Sequence, residues 1–334
     1  MYQTLKKLLP STPSVSGREQ SIRDIIKDLM ASLCDEMHTD QMGNFICLKK
    51  GNAQAPRKIL LAAHMDEIGF IVNFIEDNGY LRVAPIGGID YTAAAGSVVV
   101  FENGMRGVLV PEGDVKKDEA PKWDKCYVDI GAKSRREAEK KLKIGDCCAL
   151  CASLVRLMDN RVCGRPLDDR VGCAVMIEIA RRMNAPADDI YYVFSVQEEV
   201  GCRGARPAAF GIAPDIALIF DVTATGDALS APAMAVRLGG GVAVKIKDKS
   251  VICDAALVDE LLSLAKEKGI MAQCEILTFG GTDTSAVQMT GLGCRAGALS
   301  LPCRYIHTGV EMLDMGDVKA AVQLGVAYLG GELK

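Results

Sequence analysis

The sequence lacks the features that would direct it to a bilayer or to nucleic acid. Its apolar runs, such as Ile216–Phe220, are far shorter than the roughly 20 residues needed to cross a membrane. Charge of neither sign dominates, because 39 basic and 43 acidic residues give a net charge of −4. This balance gives no electrostatic reason to expect nucleic acid or an anionic membrane surface as a partner.

The N-terminal stretch, MYQTLKKLLP, lacks the apolar core and cleavage site of a signal peptide. Cysteine, by contrast, is abundant, but its total of 13 is odd and the spacing is irregular. We therefore expect reduced thiols in a cytoplasmic protein. Cys148 and Cys151 form a C-x-x-C pattern, which suits either a metal or redox pair or two small buried apolar residues. The second interpretation is favoured, since no other C-x-x-C lies nearby to complete four ligands.

Histidine is rare, and the chain contains only His38, His64 and His307. His64 follows the apolar run Ile59–Ala63, and Asp66 lies two residues further on. Residues i and i+2 of an extended chain point to the same side, so Asp66 can accept a hydrogen bond from the His64 nitrogen that does not bind a metal. We therefore interpret this His-x-Asp stretch as part of a metal site and not as a core motif.

Strands and helices alternate over most of the chain, as in strand Lys58–Ala63, helix Asp168–Met183 and strand Ile190–Val196. This alternation predicts an α/β fold with a mixed, largely parallel sheet and helices on both faces. From Gly69 to about Gly164 the runs become short and alternating, which predicts a small all-β module with hairpins. The predicted domains are therefore 1–66 with 165–334, and an inserted β module at 67–164.

Local signals predict several helix boundaries. Ser16 and Glu19 form a capping-box pattern before a helix at Gln20–Ser32. Asp254 is expected to cap a helix at Ala256–Lys268, and Gly269 to end it. Inside the β module one clear helix is predicted, at 134–143, and its basic cluster is expected to be a solvated face.

Acidic residues gather where the predicted strands end. Glu198 and Glu199 follow one strand, Asp221 the next and His307 the last, while Asp168 and Asp169 open a helix. Each feature alone is typical of a surface histidine, a helix cap or a solvated acid pair. However, the carboxyl ends of parallel strands share one edge of a sheet, so we expect all these residues to meet there. Burying so many acids together costs heavily unless cations are bound.

Nine short stretches occur in order along most of the chain: SGRE, AHMDEIGF, IGGID, DIGAKSRREAE, LDDRVG, VQEEVGCRGA, IFDVT, GGTDTSA and RYIHTGVEM. Through them the chain resembles the dinuclear-metal aminopeptidases of the tetrahedral-assembly (TET) and glutamyl-aminopeptidase family, some relatives of which carry the name cellulase. The resemblance implies a zinc-peptidase-like catalytic domain. It also implies that the β module is a PDZ-like dimerisation domain, with dimers assembling into a hollow dodecamer.

The resemblance also implies a role for each site residue. His64, with Asp66 behind it, and Asp221 would bind one metal ion, Glu199 and His307 the second, Asp168 would bridge both, and Glu198 would be the general base. Ligands that offer nitrogen and oxygen but no thiolate suit Zn²⁺, Co²⁺ or Mn²⁺. Asp283, in the stretch GGTD, is either a further site residue for positioning substrate or a capping residue after a glycine turn.

One stretch departs from the family pattern. Between Val110 and Lys125 the family often has a longer segment containing Lys-Pro-His, and this chain has no histidine there. The departure concerns loop structure and assembly, not the expected metal site.

The expected activity is removal of N-terminal residues from short peptides. Three alternatives remain open from the sequence. The same metal site could remove an acyl group from amino acids or peptides, Glu198 and Glu199 could flank a sugar bond in a glycosidase, or the metals could only stabilise an assembly. A glycosidase would survive chelation, and an assembly protein would tolerate loss of Glu198.

Overall fold

The computed structural model describes residues 1–89, 91–113, 123–229 and 231–333. Most of the stretch expected to depart from the family pattern, 114–122, lies outside these residues, as does Asp90 of the IGGID motif. Strands and helices are numbered here in chain order.

The strands are β1 (Glu36–Thr39), β2 (Phe45–Lys49), β3 (Lys58–His64), β4 (Gly69–Ile75), β5 (Leu81–Ile86), β6 (Val98–Phe101), β7 (Arg106–Pro111), β8 (Cys126–Asp129), β9 (Cys147–Leu150), β10 (Val155–Arg156), β11 (Arg161–Gly164), β12 (Asp189–Ser195), β13 (Ile216–Thr223), β14 (Val242–Lys247), β15 (Ala272–Ile276), β16 (Arg295–Arg304) and β17 (Glu311–Asp314). The α-helices are α1 (Tyr2–Lys7), α2 (Gln20–Met30), α3 (Tyr91–Ala94), α4 (Arg135–Ala138), α5 (Arg170–Ala180), α6 (Ala205–Ile212), α7 (Ala255–Lys268), α8 (Asp283–Gln288) and α9 (Met315–Tyr328).

A mixed sheet forms the larger part of the molecule. Its path runs β1-β2-β12-β3-β13-β16-β17-β11-β10, with β14 and β15 joined through β16. The four central strands, β12, β3, β13 and β16, are parallel, whereas strands at both edges pair antiparallel. The predicted α/β class and largely parallel sheet are confirmed.

Helices cover both faces of this sheet because successive strand residues point to opposite sides. On one face Ile59, Leu61 and Ala63 of β3 share a core with helices that include α5 and α9. On the other face Leu60 and Ala62 pack with α6 and α8. A strand that is buried on both faces is continuously apolar, which is why β3 shows no polar alternation. No helix formed by the described residues is both long and apolar enough to span a membrane.

The predicted β module is a six-stranded closed barrel, in the order β4-β5-β8-β7-β6-β9, with its own apolar core. Cys147 and Cys148 are buried in β9, as expected for small apolar residues. The limits 67–164 remain a prediction. The barrel strands end with β9, and the next two strands, β10 and β11, belong to the large sheet.

The helix predicted inside the module is wrong in its length. Ser134 caps it by accepting from the Glu137 amide at 3.3 Å, but α4 ends at Ala138. After Ala138 the helix gives way to a turn, in which the backbone amide of Lys141 donates to the Ala138 carbonyl at 2.9 Å. The Lys143 amide then donates to Asp146 at 2.8 Å, which turns the chain into β9.

Candidate metal centre

The parallel strands deliver the predicted site residues to one edge of the sheet. His64 is the last residue of β3 and pairs in register with Ser195, the last residue of β12. Glu198 and Glu199 follow β12, Asp221 lies near the end of β13, and His307 follows β16. His38, in contrast, lies exposed on the edge strand β1. The expected convergence of two histidines with the acids is therefore present.

Asp168 lies between the two histidines. Its Oδ1 is 3.1 Å from Nε2 of His64, and its Oδ2 is 3.3 Å from Nε2 of His307. Asp221 approaches the first histidine at 3.9 Å, and Glu199 the second at 3.1 Å. Two groups result, His64–Asp168–Asp221 and Asp168–Glu199–His307, and within each the ligand atoms lie inside 4.8 Å of one another. One carboxylate is thus shared by two sets of potential metal ligands.

Asp66 is fully buried behind His64 and does more than the sequence indicated. The Nδ1 atom of His64 lies 3.1 Å from the Asp66 backbone carbonyl and 3.5 Å from its carboxylate. The same carboxylate accepts hydrogen bonds from the backbone amides of Glu198 and Glu199, at 3.0 and 3.2 Å. Asp66 therefore fixes both the histidine ring and the loop that carries the acid pair.

The capping-box prediction at the second helix is wrong. Helix α2 begins after Glu19 without a side-chain cap. The Ser16 hydroxyl instead donates to Asp66 at 2.6 Å, and Glu19 accepts from the backbone amides of Gly17 and Gln197. Both residues therefore support the candidate site. Their spacing predicted the wrong hydrogen-bond partners for them.

Asp283 reaches the same region from helix α8. Thr282, not Asp283, is the N-cap of that helix, which removes the capping interpretation. Asp283 is buried, and its Oδ2 accepts from the Ser195 hydroxyl at 2.6 Å. The thiol of Cys202, which no sequence argument singled out, donates a hydrogen bond to Glu198 at 3.1 Å.

Burial and crowding distort the acid–base properties of the centre. Burial raises the pKa of Asp221 and of Glu198 well above the usual range, although His64 opposes it. Burial alone would lower the pKa of His307, but contacts with Asp168 and Glu199 outweigh it and raise that pKa to about 11. Deprotonated carboxylates are costly here without positive partners. Zn²⁺, Co²⁺ or Mn²⁺ would supply this positive charge, and all three suit imidazole and carboxylate ligands.

Glu311 is the functional residue that sequence reasoning missed most clearly, although it stands in the stretch RYIHTGVEM. Its Oε2 accepts from the backbone amides of Leu167 and Asp168, at 2.6 and 3.1 Å. Its Oε1 accepts from the His307 amide at 3.2 Å, and the buried Arg165 lies 4.0 Å behind it. One carboxylate therefore ties together the backbone of two potential ligands from distant parts of the chain.

A cavity of about 740 Å³ opens over this centre. The potential ligands and Glu198 form its floor. Its walls come mainly from the segments after β13, β15 and β16, and they include Val222, Leu277, Phe279 and Ile306. The cavity has the size of a pocket for a small ligand.

Comparison with known proteins places this geometry in a family. Residues 43–324 match the family model described as M42 glutamyl aminopeptidase. The chain is 42% identical to a putative aminopeptidase of Acetivibrio thermocellus, with 97% of each chain covered. It is 38% identical to a lysyl aminopeptidase of Pyrococcus furiosus, with 98% of this chain and 96% of the relative covered. The solved structure of the TET1 peptidase of Pyrococcus horikoshii superimposes with a TM-score of 0.85 at 33% identity, with 98% of both chains covered.

Replacement of Glu311 should weaken metal binding more than it weakens folding. In Glu311→Ala, the three backbone amides that hold Asp168 and His307 in place lose their acceptor. We expect metal affinity to fall by about 10–100-fold, as is usual when a partner of the ligands is lost. Isothermal titration with Co²⁺ measures this, and Glu311→Gln, which keeps an acceptor oxygen, should recover part of the affinity. The exposed Glu267→Ala is the matched control. Unchanged Co²⁺ affinity in Glu311→Ala would contradict the positioning role.

Proposed function

The chain belongs to the M42 glutamyl aminopeptidase family and is a peptide hydrolase, and we propose that it removes N-terminal residues from short peptides with the help of two divalent metal ions. The observation that carries the proposal is the position of Asp168, with one carboxylate oxygen toward His64 and the other toward His307. A shared carboxylate between two sets of ligands is the arrangement expected of a two-metal hydrolase.

In this proposal His64 and Asp221 hold the first ion, Glu199 and His307 the second, and Asp168 both. The donors are nitrogen and oxygen atoms, which suit Zn²⁺ or Co²⁺ best and also accept Mn²⁺. When bound, such ions lower the pKa of a water molecule to about 7 and polarise the peptide carbonyl. Side chains of the protein would transfer the proton and hold the ligands in orientation.

Glu198 lies beside the ligands without belonging to either metal group, and its side chain lines the cavity. We assign it as the general base that takes the proton of the attacking water and returns it to the leaving amine. Asp66 keeps the His64 ring in orientation and holds the Glu198 amide, so the base and the first metal ligand share one support.

The cavity walls support an apolar N-terminal residue as the preferred substrate. Outside the proposed metal and base positions, Arg304 is the one charged residue among the described residues that line the cavity. Its guanidinium is already paired, since Nη2 lies 2.7 Å from Asp227 and Nε lies 3.2 Å from the same carboxylate. Leu277, Phe279 and Ile306 therefore offer the free surface to a substrate side chain.

Assembly and location form part of the proposal. The catalytic domain comprises 1–66 and 165–334, and the inserted module at 67–164 mediates dimers that build a tetrahedral dodecamer. The Pyrococcus horikoshii relative supports this, since that TET1 peptidase can assemble into a tetrahedron or a large octahedral shell. Light scattering should give the mass of 12 chains, and a monomer would contradict the assembly.

All thirteen cysteines are free, which suits a cytoplasmic location.

Metal removal should abolish activity. Aminoacyl-nitroanilides with free amines should be hydrolysed by the purified protein, not by the chelated protein, and again after Zn²⁺, Co²⁺ or Mn²⁺ is restored. Glu198→Gln should keep two ions per chain, measured by elemental analysis, yet lose about 10²–10⁴-fold in turnover. The exposed Glu267→Ala should behave as wild type.

The alternatives predict different results in the same assay. Turnover of acylated substrates alone would identify a deacylase, and sugar-bond cleavage that survives chelation a glycosidase. Two bound ions with no turnover of any substrate, or full activity in Glu198→Gln, would favour a metal-stabilised assembly protein.

The apolar walls also predict the order of substrates. Leucyl-nitroanilide should have a kcat/KM about tenfold or more above the lysyl and glutamyl compounds, because burying a leucine side chain contributes about 1.5–3 kcal/mol. Asp227→Asn should release Arg304 and raise the relative rate of the glutamyl compound. A wild-type preference for lysyl or glutamyl substrate would show that other residues set the specificity.

A further inference from the structure

A thiol lies against the proposed general base. Cys202 follows the acid pair by three residues, lines the cavity, and places its Sγ 3.1 Å from an oxygen of Glu198. Neither set of proposed ligands in the dinuclear centre includes sulfur. The thiol therefore adds a different ligand chemistry at the edge of that centre.

Asp283 completes a group of three around this thiol. Its carboxylate, that of Glu198 and the Cys202 sulfur each offer an atom within 4.8 Å of the other two. Asp283 is 1% exposed, and its Oδ2 is held by Ser195. Its other oxygen, Oδ1, has no hydrogen-bond partner in the part of the chain that the structure describes. A buried carboxylate oxygen without a partner is costly, and a cation beside the thiol would satisfy it.

We propose that Glu198, Cys202 and Asp283 form a third metal site, which binds a thiophilic divalent ion such as Zn²⁺ or Cd²⁺ and inhibits the enzyme. One sulfur and two oxygen ligands suit Zn²⁺, with bond lengths of about 2.3 Å to sulfur and about 2.0–2.2 Å to oxygen. The fourth position is then open to water. Binding displaces the thiol proton to solvent, so the ion meets a thiolate.

Occupation of this site removes the general base from catalysis. Glu198 cannot take a proton from water while it binds an ion, so metal in excess of the two catalytic equivalents should inhibit. This inhibitory effect rests on the proposed function of Glu198, whereas binding of the ion does not. The two can therefore be tested separately.

Binding is tested with Co²⁺ by absorption spectroscopy on the full-length protein. Ligands of the dinuclear centre offer only nitrogen and oxygen, so a thiolate-to-cobalt charge-transfer band in the near ultraviolet reports on a cysteine ligand. We expect this band to appear as Co²⁺ is added beyond two equivalents, to be lost in Cys202→Ser, and to persist in Cys274→Ser, which removes an exposed thiol elsewhere. Absence of the band, or its persistence in Cys202→Ser, would overturn the site.

Inhibition is tested with Zn²⁺ on the two-metal enzyme, with each variant compared to its own activity at two equivalents. Excess Zn²⁺ should inhibit the wild type and Cys274→Ser, and the inhibition constant should rise at least about tenfold in Cys202→Ser, since even indirect partners of a metal contribute that much. A Cys202-dependent band without inhibition would overturn the inhibitory role. A Cys202-dependent band in a protein with no peptidase activity at two equivalents would leave the site standing and refute the proposed function instead.

Discussion

Asp168 contacts two histidines that lie 243 positions apart in the sequence (307 − 64), and the surrounding structure serves to keep it there. A carboxylate buried between two imidazoles needs its backbone fixed as firmly as its side chain. Glu311 supplies this by accepting the amide of Asp168 with one oxygen and the amide of His307 with the other. Asp66 plays the equivalent part for His64 and the acid pair. Two buried carboxylates that are not themselves in the metal groups thus set the geometry of those that are.

The parallel core of the sheet explains why these residues meet at all. β12, β3, β13 and β16 end at one edge, so each strand delivers its next side chain to the same place. Apolar packing on both faces stabilises the strands, and the acids collect beyond the packed region. The cost of gathering negative charge at that edge supports our proposal that the site binds cations. Peptidase chemistry also needs a base outside the two ligand sets and a pocket for the substrate, and we propose Glu198 and the cavity for these roles.

Much of this arrangement was predictable from the sequence because it follows from periodicity and strand ends. The continuous apolar run before His64 indicated a strand, and this strand is β3. Asp254 and Gly269 delimit α7 as expected, since the Asp254 side chain accepts from the Leu257 amide and Gly269 takes a positive φ of 64°. These are contacts between near neighbours, for which spacing along the chain is sufficient information.

The errors lie where a side chain bonds to a distant partner. Ser16 and Glu19 have the spacing of a helix cap. However, the Ser16 hydroxyl donates to Asp66 instead, and Glu19 accepts from the Gln197 amide. Glu311 also accepts from the amides of Leu167 and Asp168, which lie 144 and 143 positions away. Cys202 is only four residues from Glu198, but a spacing of four does not by itself predict a contact in a loop. The short helix α4 is followed by contacts with the barrel that periodicity does not contain, since Asn103 donates to the Lys141 carbonyl at 3.1 Å and Leu142 packs in the barrel core. Tertiary hydrogen bonds, and not propensity, decide these positions.

A crystal structure of the zinc-loaded protein, with anomalous diffraction at the zinc edge, would test most directly whether Asp168 is shared by two metal ions. We expect two strong peaks, one on either side of Asp168, the first bound by His64 and Asp221 and the second by His307 and Glu199. A single ion, or two ions that do not share Asp168, would contradict this expectation.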